Sequence, residues 1–159
     1  MKLQPIAICL LLLSILASCT ASTAFKAYRD LPAEGWNARD TLTFEVDTIR
    51  CTAPYEVLLS IRTSSAHAYP FQQLTIVAEQ EWLTTDQAPA HCWKDTLSIT
   101  ITNEQGDAQG NGISCYEYLL PLNPILLHSG QKGRIRIYHL MRRPILSGIT
   151  NVGLEVTPQ

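Results

Sequence analysis

The sequence predicts an all-β protein, an antiparallel β-sandwich of about seven or eight strands in an immunoglobulin-like or jelly-roll-like arrangement. Three observations lead there. Apolar residues recur at every second position in seven separate stretches, and turn-forming Gly, Pro, Asn and Asp residues fall between them. No segment sustains the 3.6-residue period of an amphipathic helix. Charged residues make up only 16% of the chain and β-branched residues are frequent, a composition that suits half-buried sheets.

The strands follow in order. In "DTLTFEVDT" (40–48) Leu42, Phe44 and Val46 share a face, and in "YEVLLSIRT" (55–63) Tyr55, Val57, Leu59 and Ile61 do so. "YPFQQLTIVAE" (69–79) offers Leu74, Ile76 and Ala78, with Pro70 restricted to the strand start or an edge. "DTLSITITN" (95–103) alternates most clearly, with Leu97, Ile99 and Ile101 inward and Thr96, Ser98, Thr100 and Thr102 outward. "GISCYEYLL" (112–120) comes next. "GRIRIYHLM" (133–141) then places Ile135, Ile137 and His139 together, and "GITNVGLEV" (148–156) ends the pattern. The glycine-rich "NEQGDAQGNG" (103–112) opens no helix, so it reads as the turn of a hairpin between the fourth and fifth strands rather than a phosphate cradle.

The amino end is of a different kind. Lys2 precedes an apolar run, Ile6–Ala17, that is shorter than the 20 or so residues a membrane-spanning helix needs. Its length and basic start are those of a secretory signal, which belongs outside any fold. The run ends in Leu16-Ala17-Ser18-Cys19, which resembles the lipobox of bacterial lipoproteins at all four positions. That resemblance implies cleavage before Cys19 and lipid on its thiol, several acyl chains together making a durable anchor. The expected organisation is a cleaved signal peptide (1–18), a lipid anchor and tether (19–39) with Trp36 at the domain edge, and one sandwich domain (40–159). Thr20 stands where inner-membrane-retained lipoproteins carry aspartate, which favours the outer membrane. The tether, "TASTAFKAY", lacks the acidic cluster of surface export, which favours the periplasmic side.

Without residues 1–18 of the 159, roughly 140 remain, enough for one domain with one core. Twelve Lys and Arg against 14 Asp and Glu give no basic field for nucleic acid. Cys51, Cys92 and Cys115 can make one intramolecular disulfide. A hairpin turning near residue 107 puts Cys115 opposite about residue 100, some eight residues from Cys92. That is roughly 26 Å of strand, beyond the 7 Å or so that a disulfide spans. The pairing stays open, with Cys51 the favoured partner of either.

No catalytic residues are predicted. His91-Cys92 is the one close His/Cys pair, and neighbours on an extended chain face opposite ways, so no metal site is expected. His67, His128 and His139 are scattered. No G-x-S-x-G elbow occurs, "GISCYEY" falls within a strand, and no carboxylate pair stands out, so neither an enzyme nor a cofactor is expected. Two surface features remain. Arg134 and Arg136 project from one strand face and lead to Arg142 and Arg143, a possible basic stripe for an acidic partner. Trp82, Trp93, Tyr116 and Tyr118 could form a stacking platform for sugars, which makes an envelope glycan-binding module the alternative function.

From the third strand onward the chain resembles the gliding-motility lipoprotein family GldH of the Bacteroidota. The resemblance lies in "YPFQQLTI", in "DTLSITITNEQGDAQGNG" and in "MRRPILSGITNVGLEV", in their order and spacing, and in the lipobox. Asn151 and Gln109 depart from the family pattern, where an acidic and a more apolar residue are expected. The resemblance implies no catalytic residue. It implies an outer-membrane lipoprotein, held by lipid on Cys19, that serves the gliding apparatus and contacts envelope proteins of the linked type IX secretion system. In a species that does not glide, a general envelope role is the expectation.

Overall fold

The computed structural model describes residues 23–64, 68–86 and 88–159. Its strands are β1 (Phe25–Asp30), β2 (Trp36–Asn37), β3 (Leu42–Val46), β4 (Ala53–Thr63), β5 (Gln73–Leu83), β6 (Pro89–Thr100), β7 (Asn111–Gly112), β8 (Tyr116–Pro121), β9 (Ile125–Leu127), β10 (Lys132–His139), β11 (Ile145–Leu146) and β12 (Ile149–Pro158). They form two facing antiparallel sheets that do not close into a barrel. One runs β1-β12-β4-β8-β7, with β9 also paired to β4, and the other runs β3-β10-β5-β6. A two-stranded sheet, β2 with β11, caps one end.

All seven stretches chosen on alternation are strands, and their chosen inward residues supply most of the core. Tyr55, Val57, Leu59 and Ile61 of β4 and Val152, Leu154 and Val156 of β12 face Phe44, Val46, Leu74, Ile76, Ala78, Ile135 and Ile137 across one contiguous apolar cluster. Gly133 is required by close packing. A Cβ there would lie 2.5 Å from the ring of fully buried Trp82 on the neighbouring strand.

Four readings are corrected. Residues 25–37, expected in the tether, lie within the fold: β1 pairs with β12 along its whole length, and Trp36 is fully buried rather than at the edge. "FKAYRD" packs only Phe25 and Ala27 against the core, too weak an apolar alternation to announce a strand. The strand expected at 95–103 begins at Pro89 and ends at Thr100, so Thr102, expected outward, is buried where the chain crosses over. The hairpin across 103–112 is not formed between β6 and β8, which lie in different sheets. The glycine segment closes a small turn, with a single Thr102–Ala108 bridge and the Asn103 side chain accepting from the Gln105 and Asp107 amides, and carries the chain from one sheet to the other. Alternation tells which face a residue takes but not which sheet the strand joins. The spacing argument about Cys92 and Cys115 falls with the hairpin, and Cys51, Cys92 and Cys115 are all exposed and unbridged.

Candidate functional site

Cys19, the predicted lipid attachment site, lies outside the described residues, as do the signal segment and His67. The first described residues, Thr23 and Ala24, sit at one end of the sandwich beside Thr48, Arg50, Cys51, Tyr55 and Pro158. Ala24 N–H donates to Val156 O at 2.8 Å and starts the sheet there. At this near end Tyr55 is buried and its hydroxyl meets the Cys51 sulfur (3.2 Å) and donates to the Cys51 carbonyl (3.0 Å). Burial, helped by the Cys51 thiol, pushes the phenol up to about 12.

The expected basic stripe is not one surface. Arg134 bonds Glu45 (2.8 Å) and reaches Glu81 (3.7 Å), and Arg136 bonds Glu79 (3.2 Å), each pair bridging neighbouring strands of the four-stranded sheet. Glu79 also takes Lys94 (3.1 Å) and the Tyr138 hydroxyl (3.0 Å), so one carboxylate links β6, β5 and β10. On the opposite sheet Lys26 pairs with Glu155, and Arg62 with Glu117, which also accepts from Ser60 at 2.6 Å. Cross-strand neighbours of opposite charge satisfy one another on both outer faces.

Arg142 and Arg143 differ. They lie in the exposed turn between β10 and β11 at the far end, away from Thr23, and neither has an ion-pair partner among the described residues. The β2–β11 pair is prolonged by Ala38 N–H donating to Pro144 O (2.7 Å), which brings Arg39 alongside this turn. Exposed Leu140 and Ile145 flank it. The platform beneath is rigid. The Trp36 ring meets the His139 ring edge-on at 5.3 Å, its indole N–H donates to Asp40 O (3.0 Å), and Leu146 is fully buried. His139 Nδ1 accepts the Met141 amide (3.3 Å) while Nε2 donates to Trp36 O (3.2 Å), which fixes the neutral tautomer with its proton on Nε2. Burial holds the His139 pKa below its ordinary value, and the hydrogen bond to the Trp36 carbonyl opposes this. Gly35, with φ at 116°, lets the chain pass against the Leu146 carbonyl beneath the turn.

The four aromatic residues proposed as a sugar platform are dispersed. Trp82 is fully buried, Tyr118 is buried with its hydroxyl on Ile101 O (2.9 Å), Tyr116 is half-buried, and Trp93 alone of the four stands out. Trp93 stacks on His91 at 5.1 Å, and the two line a groove of about 330 Å³ with Pro124, Ile125, Leu126 and His128. Sequence reasoning missed this groove because it passed over β9. The signal was there: Ile125 and Leu127 alternate in "NPILLHS" and both are buried. The fold brings His91 and His128 to the same groove but leaves His139 buried elsewhere, and no cluster of three or more His, Cys, Asp or Glu residues occurs among the described residues.

The fold and these surfaces define a β-sandwich with ion pairs across both outer sheet faces and, among the described residues, Arg142 and Arg143 unpaired at the far end beside exposed Leu140 and Ile145. The chain belongs to the GldH lipoprotein family, whose profile matches residues 23–156. Membership makes it a gliding-motility-associated lipoprotein, held at a membrane through lipid. No curated protein matches it in sequence. Among solved structures it is similar in fold to a stretch of tripeptidyl peptidase 2, with a TM-score of 0.50 and 9% identity over 84% of this chain and 10% of that one. Weaker similarities include a protein from Sulfurospirillum deleyianum (0.48, 10% identity, 85% and 98% covered) and a family 35 carbohydrate binding module from Clostridium thermocellum (0.42, 10% identity, 84% and 90% covered).

Proposed function

We propose that this protein is an outer-membrane lipoprotein, anchored by lipid on Cys19 and facing the periplasm, that acts as a non-catalytic adaptor of the gliding-motility envelope machinery linked to type IX secretion. Where the organism does not glide, the same adaptor serves the envelope more generally. One observation carries the reading: the end opposite Thr23 offers Arg39, Arg142 and Arg143 with no ionic partner among the described residues, on a rigid platform and beside exposed Leu140 and Ile145. Anchored at one end, the sandwich presents a cationic and apolar surface at the other, suited to an acidic partner protein. Crosslinked co-purification from native envelopes tests this, comparing wild type, Cys19→Ala and Arg142→Glu/Arg143→Glu. Recovery of motility or type IX secretion components with wild type, and their loss in the double glutamate variant, is the expected result. Equal recovery with that variant removes the far end as the contact face. If wild type itself recovers no such component, the adaptor reading fails.

A further inference from the structure

β6 is the last strand of its sheet and is 12 residues long, yet among the described residues it pairs with β5 alone. Sheet edges are normally blunted by shortness, proline, bulges or projecting lysine. In β6 the proline and the register shift fall at its very start, Pro89 opposite Leu83, and Lys94 is drawn back onto Glu79 of β5. The far part of this side is closed by the crossing segment, where Gln109 N–H and the Tyr118 hydroxyl both donate to Ile101 O. Among the described residues, nothing pairs with this edge from Ala90 to Leu97.

The inward face of that open stretch is unlike any other in the core. By alternation His91, Trp93 and Asp95 share the face of Leu97 and Ile99. Their cross-strand neighbours on β5 are Trp82, Gln80 and Ala78. Asp95 therefore has an alanine beside it. Its Oδ2 is shut off from solvent without a hydrogen-bond partner, and it forms no ion pair among the described residues. Buried carboxylate oxygens are ordinarily paired. Next to it Trp93 is 41% exposed and, across the groove, Leu126 is 53% exposed.

We propose that the open edge of β6, with the groove between it and β9, docks an extended segment of a partner protein that carries a lysine or arginine opposite Asp95. Such a segment adds a fifth strand to the sheet, its backbone meeting the free groups of β6 and its alternate side chains entering the groove. The residue opposite Asp95 points inward, as do those two positions before and after it. Those two fall opposite Trp93 and Leu97 and are apolar. The recognised pattern is apolar-x-basic-x-apolar in an extended chain. This rests on the sandwich alone, so it and the far-end contact of Arg142 and Arg143 stand or fall separately.

The test uses the full lipidated chain in nanodiscs and a phage-displayed library of peptides about ten residues long, strand-forming and randomised at alternate positions. Selection is expected to enrich Lys or Arg at one position with apolar residues two places on either side. The selected peptide should slow amide exchange from Ala90 to Leu97 and leave β3 unchanged. Replacing its basic residue by glutamate, or Asp95→Asn in the protein, should each weaken binding about tenfold or more, the value of a charged hydrogen bond. Asp95→Asn keeps the size and shape of the side chain and is expected to fold. The proposal is overturned if no basic position is enriched, or if the selected peptides protect another surface. It is also overturned if the β6 amides are already protected without peptide in a concentration-dependent way, which would make a second copy the occupant.

Discussion

The two edges of the four-stranded sheet are finished differently. β3, at one edge, is five residues long and is covered from the neighbouring sheet: exposed Arg29 of β1 lies over the Phe44 ring at 5.5 Å and bonds the Thr43 carbonyl at 3.4 Å. β6, at the other edge, is more than twice as long and has no such cover over its first half. At the place corresponding to Arg29 and Phe44 it presents Trp93 stacked on His91 beside a groove. One side of the sandwich is thus closed by a cation resting on a ring within the chain. The other carries a ring and a carboxylate with no ion-pair partner among the described residues. The difference teaches that the same gap between sheets can be covered from the neighbouring sheet at one edge and stay uncovered by the described residues at the other.

The largest expected effect tests whether the two edges share one core. Trp82 is fully buried, lies beneath Gly133 of β10 and sits beside His91 of β6. Trp82→Ala should lower the unfolding free energy by about 3–5 kcal/mol, as removal of a large buried aromatic does. Denaturant unfolding followed by amide exchange should show β3 and β6 loosening together. If β6 alone loosens, it is held as a separate unit and the comparison of edges loses its common reference.

A smaller change opens the closed edge. Arg29→Ala removes the cation–π contact and the hydrogen bond to Thr43, for about 0.5–1 kcal/mol. Amides of residues 42–46 should exchange faster, while those of 90–97 keep their wild-type rates. No change at 42–46 would show that Arg29 rests on β3 without holding it.

How much of this asymmetry was legible follows from what alternation can and cannot carry. Leu74, Ile99 and Ile135 announced their strands because the residues on either side of each are polar. Arg29 and Asp95 did not, because both break the apolar pattern of their strands, one to cover an edge and the other beneath an open one. β9 was passed over because its signal, Ile125 and Leu127, is a single repeat of the alternation. Arg134 and Arg136 were visible as a pair on one face, but Glu45, Glu79 and Glu81, which neutralise them, come from strands distant in sequence. The Leu16-Ala17-Ser18-Cys19 pattern, which lies outside the described residues, could be read as a local pattern that owes nothing to the fold. The groove of Trp93 and Leu126 could not, because it exists only where β6 and β9 meet.

The smallest effect concerns what holds the open strand when nothing is docked on it. Glu79 ties Lys94 of β6 to Arg136 and Tyr138 of β10. The Lys94 hydrogen bond, then that of Tyr138 and the charges of Lys94 and Arg136, hold the Glu79 carboxyl below the usual carboxylate range against the effect of its burial. A carboxylate whose folded pKa is depressed stabilises the fold above its unfolded value, near 4.3, and loses that contribution as pH falls through the folded value. Glu79→Gln should therefore cost about 0.5 kcal/mol at neutral pH, the worth of a screened ion pair. The difference from wild type should persist down to about pH 5 and shrink below about pH 4 as the wild-type carboxylate takes up its proton. Because Lys94 is the β6 member of the link, the exchange rates of residues 92–96 should rise in the variant before those of 42–46. An equal rise at both edges would mean that Glu79 acts on the sheet as a whole, and that β6 is kept in place by its backbone pairing with β5.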